Sequence, residues 1–559
     1  MFRNILYKTF SLLSTQEATA FEKDSHNCED AQLRKLLQII QNNASTEYGK
    51  KYQFNSIKSV ADFQKAVPIN DYESLSPYIE RIASGAQNIL TSEPPFMFAT
   101  TSGTTGARKL IPVTNAYMQE FRKASAISGY YLLKHFPAIA HGVTLSIFSP
   151  AQDSLTTAGL PCGAISGRLY LKEPFFIRKF ISPLPYEICL IKDYEARYYT
   201  LLRCALMLPV TCIYTLNPST IALLSRRLKT HAEQLINDVA KGTISLTSSM
   251  PANIEKVIKP FLQADHVRAR YLQKLLADGQ FTPDKVWPGL ALITCWTKAA
   301  AAFYLQDFPE FFGSTPVCDI TYGASEGRGT VFLSPEKQAL AIRSHFFEFI
   351  EADKMTSDNK EVLTATQLQT GKEYNILFTT SGGLYRYNIN DIVQVVGWHN
   401  QIPLLEFLHK SGNISSFTGE KLTESQVTQA VADSTHTHNI TLRFFTVIPE
   451  FRPEPHYQLW LEPSHELDQN QLVRLSESFD QCLSQLNSEY EVKRASHRLG
   501  SAQVFQLSAN SYEDLRKHLV AQGIPDAQIK ISHLNPKEEI KEILKTKLGK
   551  ATTRSLIGS

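Results

Sequence analysis

Short apolar runs that end at glycine and hydroxyl-bearing residues alternate with long amphipathic stretches over the first 400 residues. The runs Leu290–Trp296, Val317–Tyr322 and Thr330–Leu333 have the length and composition of strands. The tetrapeptide NPST at 217–220 instead precedes a 3.6-residue apolar period that predicts one helix ending at Gly242. Strands interleaved with helices indicate an α/β fold with mixed β-sheets.

The pattern changes near residue 408, where a polar, glycine-bearing stretch interrupts the apolar runs. A chain of 559 residues exceeds what one hydrophobic core supports, so at least two domains are expected. We predict a large N-terminal α/β domain over residues 1–408 and a hinge over 409–423. A smaller, mobile α+β C-terminal domain is predicted over 424–559.

Charge and hydropathy exclude several kinds of partner. With 57 basic and 54 acidic residues, the chain gives no electrostatic reason to expect a nucleic acid. The most apolar internal stretch, Ala205–Leu216, contains a proline and is too short to span a bilayer, so no membrane partner is expected. The N-terminal segment MFRNILYKTFSLLSTQ is interpreted as an amphipathic helix and not as a secretion signal.

The eight cysteines include no C-x-x-C pair, and most lie in apolar runs. This usage predicts buried free thiols in a reducing compartment and argues against structural zinc. A cytoplasmic, monomeric protein is therefore the expectation.

A loop rich in hydroxyl groups and glycine, TTSGTTGARK at 100–109, follows the short apolar run Phe96–Thr100. Its glycines permit a sharp turn that exposes successive N–H groups, and its hydroxyls and lysine add further donors, which suits a polyphosphate. It is not a P-loop, because its glycines are three apart and no Ser or Thr follows the lysine. A plain surface turn is the alternative. The candidate ligands are Thr101, Ser102, Gly103, Thr104, Thr105 and Lys109.

A second segment, YGASEG at 322–327, directly follows an apolar run. The Glu326 carboxylate beside the Ser325 hydroxyl suits a Mg²⁺–phosphate site, because Mg²⁺ prefers oxygen ligands. The letters also fit G-x-S-x-G, the nucleophile elbow of α/β-hydrolases. That motif requires a helix after the serine, whereas a strand-like TVFLS follows here.

A third segment, TTSGGLYRYNIND at 379–391, leads into the strand-like IVQVVGW. An acid at the end of a strand can accept hydrogen bonds from both ribose hydroxyls of a nucleotide. Asp391 is therefore a candidate ribose ligand, with a simple turn residue as the alternative.

Taken together and in this order, the three segments resemble the adenylate-forming superfamily of acyl-CoA synthetases, peptide synthetase adenylation domains and luciferases. The closer resemblance is to the auxin-responsive acyl acid amido synthetases, which join jasmonate or indoleacetate to amino acids, and to their bacterial-type members. The similarity runs nearly end to end. The segments that carry it are VPINDYESLSPYIERIASG, TTSGTTGARKLIPVT, NPST, KVWPGLALITCW, YGASEG, FFEFI, GLYRYNINDIVQVVGW, GEKLTE and LNSEYEVKR.

The resemblance implies a role for each matching residue. The loop hydroxyls would hold the ATP phosphates, Tyr322 and Gly323 would line the adenine, and Ser325 would touch the α-phosphate. Glu326 would ligate Mg²⁺. Asp391 would bind the ribose with Arg386 nearby.

Two lysines after the predicted hinge are implied to act on the phosphates. Lys421, in GEKLTE, would contact phosphate, and Lys530 would be the C-terminal lysine that stabilises the adenylation transition state. The family's glycine before the ribose aspartate is Asn390 here, and its Gly-Gln-x-Lys is Ala-Gln-x-Lys at 527–530. Asparagine tolerates a left-handed turn, so the local geometry can be kept.

The implied enzyme uses ATP and Mg²⁺ to convert a carboxylic acid into an acyl-adenylate and transfers the acyl group to an amine, in particular that of an amino acid. Three alternatives stay open at this point. An acyl-CoA or carrier-thiol ligase would share the first step. An α/β-hydrolase would use Ser325 as its nucleophile. A non-catalytic protein would bind the nucleotide without catalysing a reaction.

Overall fold

A computed structural model describes most of the chain, and its residues separate into two compact units. The units are Met1–Ala301 with Leu305–Phe407, and Ala302–Tyr304 with Leu408–Ser559. The residues described are 2–101, 109–246, 251–298, 304–355, 360–410, 414–415, 420, 422–450, 455–495, 499–522, 524, 529, 531–535 and 538–548.

The first unit begins with helices, as the sequence predicts for its N-terminal segment. Side-chain caps define three of their starts: Thr46, Ser59 and Asp71 each accept a hydrogen bond from the backbone N–H three residues later. The helices are α1 (Phe2–Ser25), α2 (Cys28–Asn42), α3 (Glu47–Lys51), α4 (Val60–Ala66) and α5 (Tyr72–Ala83).

A small sheet with strand order β2-β1-β5-β4 follows these helices. Strands β1 and β2 form an antiparallel hairpin, and β1 pairs in parallel with β5. The elements are β1 (Met97–Thr101), β2 (Lys109–Val113), β4 (Ser154–Leu155), β5 (Pro161–Gly163) and the long helix α6 (Asn115–His135), which β2 enters directly.

A four-stranded parallel sheet has the order β3-β6-β7-β8. Its strands are β3 (Val143–Ser146), β6 (Val210–Tyr214), β7 (Leu292–Cys295) and β8 (Val317–Asp319). Helices connect these strands, as parallel pairing requires. They are α7 (Ile165–Lys172), α8 (Phe175–Phe180), α9 (Tyr194–Ala205), α10 (Pro218–Thr230), α11 (Ala232–Lys241), α12 (Ala252–Ile258), α13 (His266–Ala277), α14 (Pro283–Val286) and α15 (Phe308–Phe312).

The third sheet has six strands in the order β11-β12-β13-β14-β10-β9. Strands β11 and β12 are each buried at every residue but one, and their side chains join those of α2, α4 and α5 in one core. The strands are β9 (Thr330–Ser334), β10 (Lys337–Leu340), β11 (Phe346–Glu351), β12 (Glu373–Thr379), β13 (Tyr387–His399) and β14 (Ile402–Lys410).

The second unit is a smaller α+β structure with its own core. Its three-stranded sheet has the order β17-β18-β19, in which β18 and β19 are parallel. The elements are β15 (Ile414–Ser415), β16 (Leu422–Thr423), α16 (Glu424–Thr437), β17 (Leu442–Glu450), β18 (His456–Pro463), α17 (Gln469–Leu486), α18 (Ser488–Ala495), β19 (Gln503–Gln506), α19 (Ser511–Ala521) and α20 (Glu538–Lys545).

The predicted α/β class with a smaller α+β unit is confirmed, and one element differs. The single helix expected from residue 218 to 241 is two helices that meet at His231, where the backbone leaves helical geometry (ψ 17°). Asn217 caps the first of them and Gly242 ends the second with φ +70°, as the sequence indicates.

The predictions about the cysteines and about membrane spans can be compared with this fold. All eight cysteines are free and six are buried, which confirms the expected buried thiols. Among the helices in the described part of the chain, none combines the length and the apolar character needed to cross a bilayer.

Candidate functional site

The hydroxyl-rich motif starts at the end of β1 and ends at the start of β2. These two strands pair antiparallel, with Thr101 opposite Lys109. Ser102, Gly103, Thr104 and Thr105 lie outside the described residues, and Thr101 is described by its backbone alone. The turn predicted for this motif therefore falls outside the described residues, and its contacts with a ligand stay a prediction.

The base of this hairpin is fixed by Tyr72, at the start of α5. Its hydroxyl accepts a hydrogen bond from the Leu110 N–H (2.9 Å), and the Lys109 ammonium lies 5.4 Å from its ring centroid. The charge of Lys109 is therefore held beside an aromatic face at the foot of the turn. The resemblance included Tyr72 within VPINDYESL but gave it no role.

The YGASEG segment is a tight β-hairpin. Backbone hydrogen bonds join Ala324 and Gly327 in both directions (2.9 and 3.3 Å), which places Ser325 and Glu326 at the tip. Gly323 pairs with Arg328 across the hairpin. Strand β9 follows, where a nucleophile elbow requires a helix, so the geometry does not support the hydrolase interpretation of Ser325.

Backbone strain marks the base of the same hairpin. Thr321 has φ +91°, a region that β-branched residues rarely adopt. A Cβ at Gly329 would lie 2.2 Å from the Tyr322 ring, so only glycine permits this close packing. Strain of this kind persists where the surrounding structure determines a functional geometry.

Asp391 lies on a bulge of β13. Leu377 is opposite Asn388 and Asn375 is opposite Ile392, so residues 389–391 face Ile376 alone. Asn390 adopts φ +62°, which confirms that asparagine maintains the left-handed turn that the family's glycine makes. The bulge changes the direction of the strand immediately before Asp391.

Tyr322 connects the hairpin to the bulge. Its hydroxyl donates to Asp391 Oδ2 (2.7 Å), and its ring stacks on Phe407 with centroids 5.5 Å apart. Burial raises the pKa of Tyr322 well above its usual range, and the negative charges of Asp391 and Glu326 raise it further. Tyr322 is therefore hydrogen-bonded to Asp391 and lies within electrostatic reach of Glu326.

The same two carboxylates raise the pKa of a second tyrosine, Tyr387. Burial raises the pKa of Tyr387, and the charges of Glu326 and Asp391 add to that effect. Two carboxylates near two buried phenols create a negative potential, which favours a bound cation. Tyr387 was not predicted from the sequence, because its position within the motif YRYN does not show which way its side chain points.

Arg386 requires a revision of its expected role. Its side chain is 4% exposed, and its Nε donates to both oxygens of the Glu348 carboxylate (3.1 and 3.0 Å). Its Nη1 donates to the carbonyls of Gln64 and Val67 (2.9 and 2.7 Å). These contacts favour a role for Arg386 in holding its strand in place over a role in direct contact with a nucleotide.

A long-range strand pairing holds the same region. Asn70 donates from its side chain to the Tyr385 carbonyl (2.7 Å), and its backbone N–H donates to the Arg386 carbonyl (3.0 Å). The segment before α5 is therefore bonded to the chain that leads to Asp391. Lys421 and Lys530 lie outside the described residues, so their roles stay predictions.

Most of the chain matches the domains of one protein family. Residues 17–317 match the GH3 family N-terminal domain, residues 338–410 its central domain and residues 425–539 its C-terminal domain. The first of these matches alone spans more than half of the 559 residues.

Curated relatives and solved structures agree with this match. An indole-3-acetic acid-amido synthetase GH3.3 of Arabidopsis thaliana is 24% identical over 96% of this chain and 94% of its own length. A jasmonoyl–L-amino acid synthetase JAR6 of Nicotiana attenuata is 25% identical over 92% of each chain. The solved structure of GH3.15 acyl acid amido synthetase covers 95% of each chain with a TM-score of 0.85 at 22% identity, which shows the same fold.

Proposed function

Because this chain belongs to the GH3 family, we propose that it is an ATP-dependent acyl acid amido synthetase. It joins a carboxylic acid to the amino group of an amino acid through an acyl-adenylate. The observation that supports this best is at Tyr322, whose hydroxyl donates to Asp391 and whose pKa is raised also by the charge of Glu326. Glu326 would bind the metal ion that accompanies the triphosphate, and Asp391 would bind the ribose.

In the first half-reaction, a carboxylate oxygen of the acid attacks the α-phosphorus of ATP. A new P–O bond forms, the bond to the β-phosphate oxygen breaks, and pyrophosphate leaves. In the second, the amine attacks the acyl carbon, loses a proton and displaces AMP, which gives the amide. Neither step needs a covalent enzyme nucleophile, so charge stabilisation is the main task of the protein.

The hairpin tip is proposed to hold the phosphates through Thr101, Ser102, Thr104 and Thr105, with Lys109 at its foot. Successive N–H groups and hydroxyls in a turn present several donors to one anion. Ser325 is proposed to contact the α-phosphate, because it lies beside Glu326 at the tip of the second hairpin.

Mg²⁺ fits the donor chemistry of this place. Within the described residues, no three His, Cys, Asp or Glu side chains form a metal cluster, so a bound ion would share Glu326 with phosphate oxygens. Mg²⁺ bound in this way would neutralise negative charge on the phosphates. Glu326 is 6% exposed, so its carboxylate has few competing water contacts.

Asp391 is proposed to accept hydrogen bonds from the ribose hydroxyls. Tyr322 donates a hydrogen bond to Asp391 Oδ2, which fixes the orientation of the carboxylate. Tyr322 and Gly323 are proposed to line the adenine. Arg386 would act indirectly, by holding the strand that carries Asp391 in place.

The acid is proposed to bind near three stacked aromatic rings. Phe148 lies 4.5 Å from Tyr170 and 5.9 Å from Tyr186 between centroids, with interplanar angles of 29° and 14°. All three side chains are half-buried. A half-buried aromatic face suits a flat, apolar acid. Phe346 is 1% exposed and packs in the core against Phe63, so it is not proposed to line the pocket.

The C-terminal unit is proposed to supply Lys421 and Lys530 to the phosphates by rotation about residues 409–423. Such a rotation would separate the two half-reactions, because each needs a different set of groups at the α-phosphate. The chain is proposed to act as a monomer in the cytoplasm, where its free thiols stay reduced. Light scattering on the purified chain checks the oligomeric state.

Acid-dependent exchange of radioactive pyrophosphate into ATP tests the first half-reaction over a library of aromatic, cyclic and fatty carboxylic acids. Amide formation, followed by mass spectrometry with each amino acid, tests the second. Glu326→Gln is expected to lower the exchange rate by about 10²-fold or more, since it removes a preorganised charge. The matched control is Glu336→Gln, an exposed carboxylate ten residues further along.

The outcomes separate the alternatives. Exchange followed by thioester formation with a thiol, and no amide with any amine, would indicate an acyl-CoA or carrier-thiol ligase. ATP binding without exchange for any acid would indicate a non-catalytic nucleotide-binding protein. Equal activity of Glu326→Gln and Glu336→Gln would show that Glu326 is not part of the site.

A further inference from the structure

One face of α6 contacts both segments that carry the proposed ATP ligands. Thr114, Tyr117 and Glu120 are three residues apart, so their side chains lie on one side of the helix. The Thr114 hydroxyl donates to the Ser381 carbonyl (3.1 Å), and the Tyr117 hydroxyl donates to the Ser325 carbonyl (2.7 Å). The same helix continues directly from β2, the second strand of the hydroxyl-rich hairpin.

Glu120 is a buried carboxylate with several donors. It is 3% exposed, its Oε1 lies 2.6 Å from Lys35 Nζ, and Oε2 accepts from the Ser381 N–H (3.2 Å). Burial alone would raise the pKa of Glu120. The hydrogen bond from His345 and the charge of Lys35 outweigh that effect, so its pKa is lowered. Glu120 is therefore ionised and joins α2 to the loop that precedes the Asp391 strand.

His345 extends this connection to the other segment. It is fully buried, its Nε2 accepts a hydrogen bond from the Arg328 N–H (3.0 Å), and its Nδ1 lies 3.1 Å from Glu120 Oε2. Because Nε2 accepts a backbone N–H, the ring proton is on Nδ1 and is donated to Glu120. Arg328 closes the hairpin whose tip carries Glu326.

We infer that Tyr117 and Glu120 are positioning residues, which set the placement of the Glu326 hairpin relative to the segment that leads to Asp391. This inference rests on the proposed function and adds residues that touch neither ATP nor the acid. Tyr117 holds the tip of the hairpin through Ser325, and Glu120 holds its base through His345. Both belong to a helix that continues from the proposed phosphate hairpin, so one rigid element determines the placement of all three parts.

The energetic weight of these contacts is large because they are buried. A buried hydrogen bond stabilises the geometry that it holds, and bonds to charged groups contribute more than neutral ones. Displacement of a catalytic group by about 1 Å can lower a rate about 10²-fold. Loss of an α6 contact is therefore expected to change the rate of adenylation more than the affinity for ATP.

The test compares two buried tyrosines that each lose one hydroxyl. Tyr117→Phe removes the bond to Ser325, and the control Tyr199→Phe removes a similar bond to Asp238 (2.6 Å) among the helices beside the parallel sheet. We expect Tyr117→Phe to lower kcat of ATP–pyrophosphate exchange about tenfold, with the ATP KM changed by less than about threefold. Tyr199→Phe is expected to lower the melting temperature without a change in kcat.

Glu120→Gln removes the charge and is expected to lower kcat by about 10- to 100-fold, because bonds to a charged group are lost. Hydrogen exchange of the full-length chain without substrate gives a readout that is independent of activity. Amides of residues 322–330 are expected to exchange faster in Tyr117→Phe than in wild type, and at the wild-type rate in Tyr199→Phe.

The outcomes distinguish this inference from the proposed function. Unchanged amide exchange at residues 322–330 together with an unchanged kcat in Tyr117→Phe would overturn the positioning role. An equal loss of kcat in both tyrosine variants would also overturn it, since a general loss of stability would explain both. Absence of acid-dependent ATP–pyrophosphate exchange in the wild-type chain would overturn the proposed function. Faster amide hydrogen exchange in Tyr117→Phe would still establish the contact between Tyr117 and the hairpin.

Discussion

Replacement of Arg386 by methionine tests whether this arginine supports the fold or contacts the nucleotide. Arg386→Met keeps the length and the apolar stem of the side chain and removes its charge. The carboxylate of Glu348, 1% exposed, would retain the hydrogen bond from Gln64 Nε2 (3.1 Å) and lose both bonds from Arg386. The carbonyls of Gln64 and Val67 would also lose a charged donor.

The magnitude follows from the burial of the pair. Removal of one partner of a buried ion pair lowers the free energy of unfolding by about 3–5 kcal/mol, because the remaining charge stays buried. The unit that contains the pair has roughly 400 residues. Its unfolding entropy is then about 0.85 kcal/mol/K, so its melting temperature is expected to fall by about 4–6 °C.

Differential scanning calorimetry of the full chain measures this shift, and ATP–pyrophosphate exchange measures the ATP KM in parallel. The matched variant is Arg386→Met with Glu348→Leu, which replaces both charges by apolar groups. That double variant is expected to regain most of the lost stability and a wild-type ATP KM, because apolar replacement of a buried pair is often close to neutral.

Two results would refute the reasoning. A melting temperature of Arg386→Met within about 1 °C of wild type would show that the ion pair contributes little. A double variant with wild-type stability and a persistently raised ATP KM would show that Arg386 contacts the nucleotide, as the sequence interpretation assumed.

Three further predictions concern single residues. Asp391→Asn is expected to raise the ATP KM about tenfold in the exchange assay, because a neutral amide accepts ribose hydrogen bonds more weakly than a carboxylate; an unchanged KM would exclude the ribose role. Asn390→Gly is expected to leave the unfolding free energy nearly unchanged, whereas Asn390→Val should lower it by about 1–3 kcal/mol, since a β-branched residue is strained at φ +62°; equal stabilities in urea would contradict this. Burial raises the pKa of Asp319 from 3.8 to about 6 despite the nearby charge of Lys298. Its folded-state pKa exceeds the unfolded value, so this group's contribution to stability is present below pH 4 and is lost as the pH rises through 6. Asp319→Asn should therefore be more stable than wild type at pH 8 and not at pH 4, and identical pH profiles in thermal unfolding would count against it.

Local signals in the sequence predicted the start of individual elements well. The helix expected at the NPST tetrapeptide begins at Pro218 with Asn217 as its cap, because a side-chain oxygen that satisfies the first N–H groups is a local feature. The short apolar run that ends at residue 100 forms β1 for the same kind of reason. The break at His231 was missed, since the apolar period continues across it and no glycine or proline marks the turn.

The candidate site could be predicted only in part, because its contacts join distant segments. The carboxylates Glu326 and Asp391 were identified from motifs, and the structure places both within electrostatic reach of Tyr322. The connection from Lys35 through Glu120 to His345 spans three segments, and no short motif encodes which side chains will meet in the core. The ion pair of Arg386 with Glu348 was not predicted for the same reason: composition gives a charge, and only packing shows where that charge is directed.

The bond between Asn70 and the Tyr385 carbonyl, which joins residues 315 positions apart, has a consequence for biosynthesis. A ribosome that adds about 5–20 residues per second needs roughly 16–60 s to deliver the second partner after the first has emerged. During that interval the early helices expose apolar side chains that belong against a sheet not yet made. The N-terminal segment is thus a candidate client for chaperones, and a truncated nascent chain should remain sensitive to protease until the last of these strands is translated.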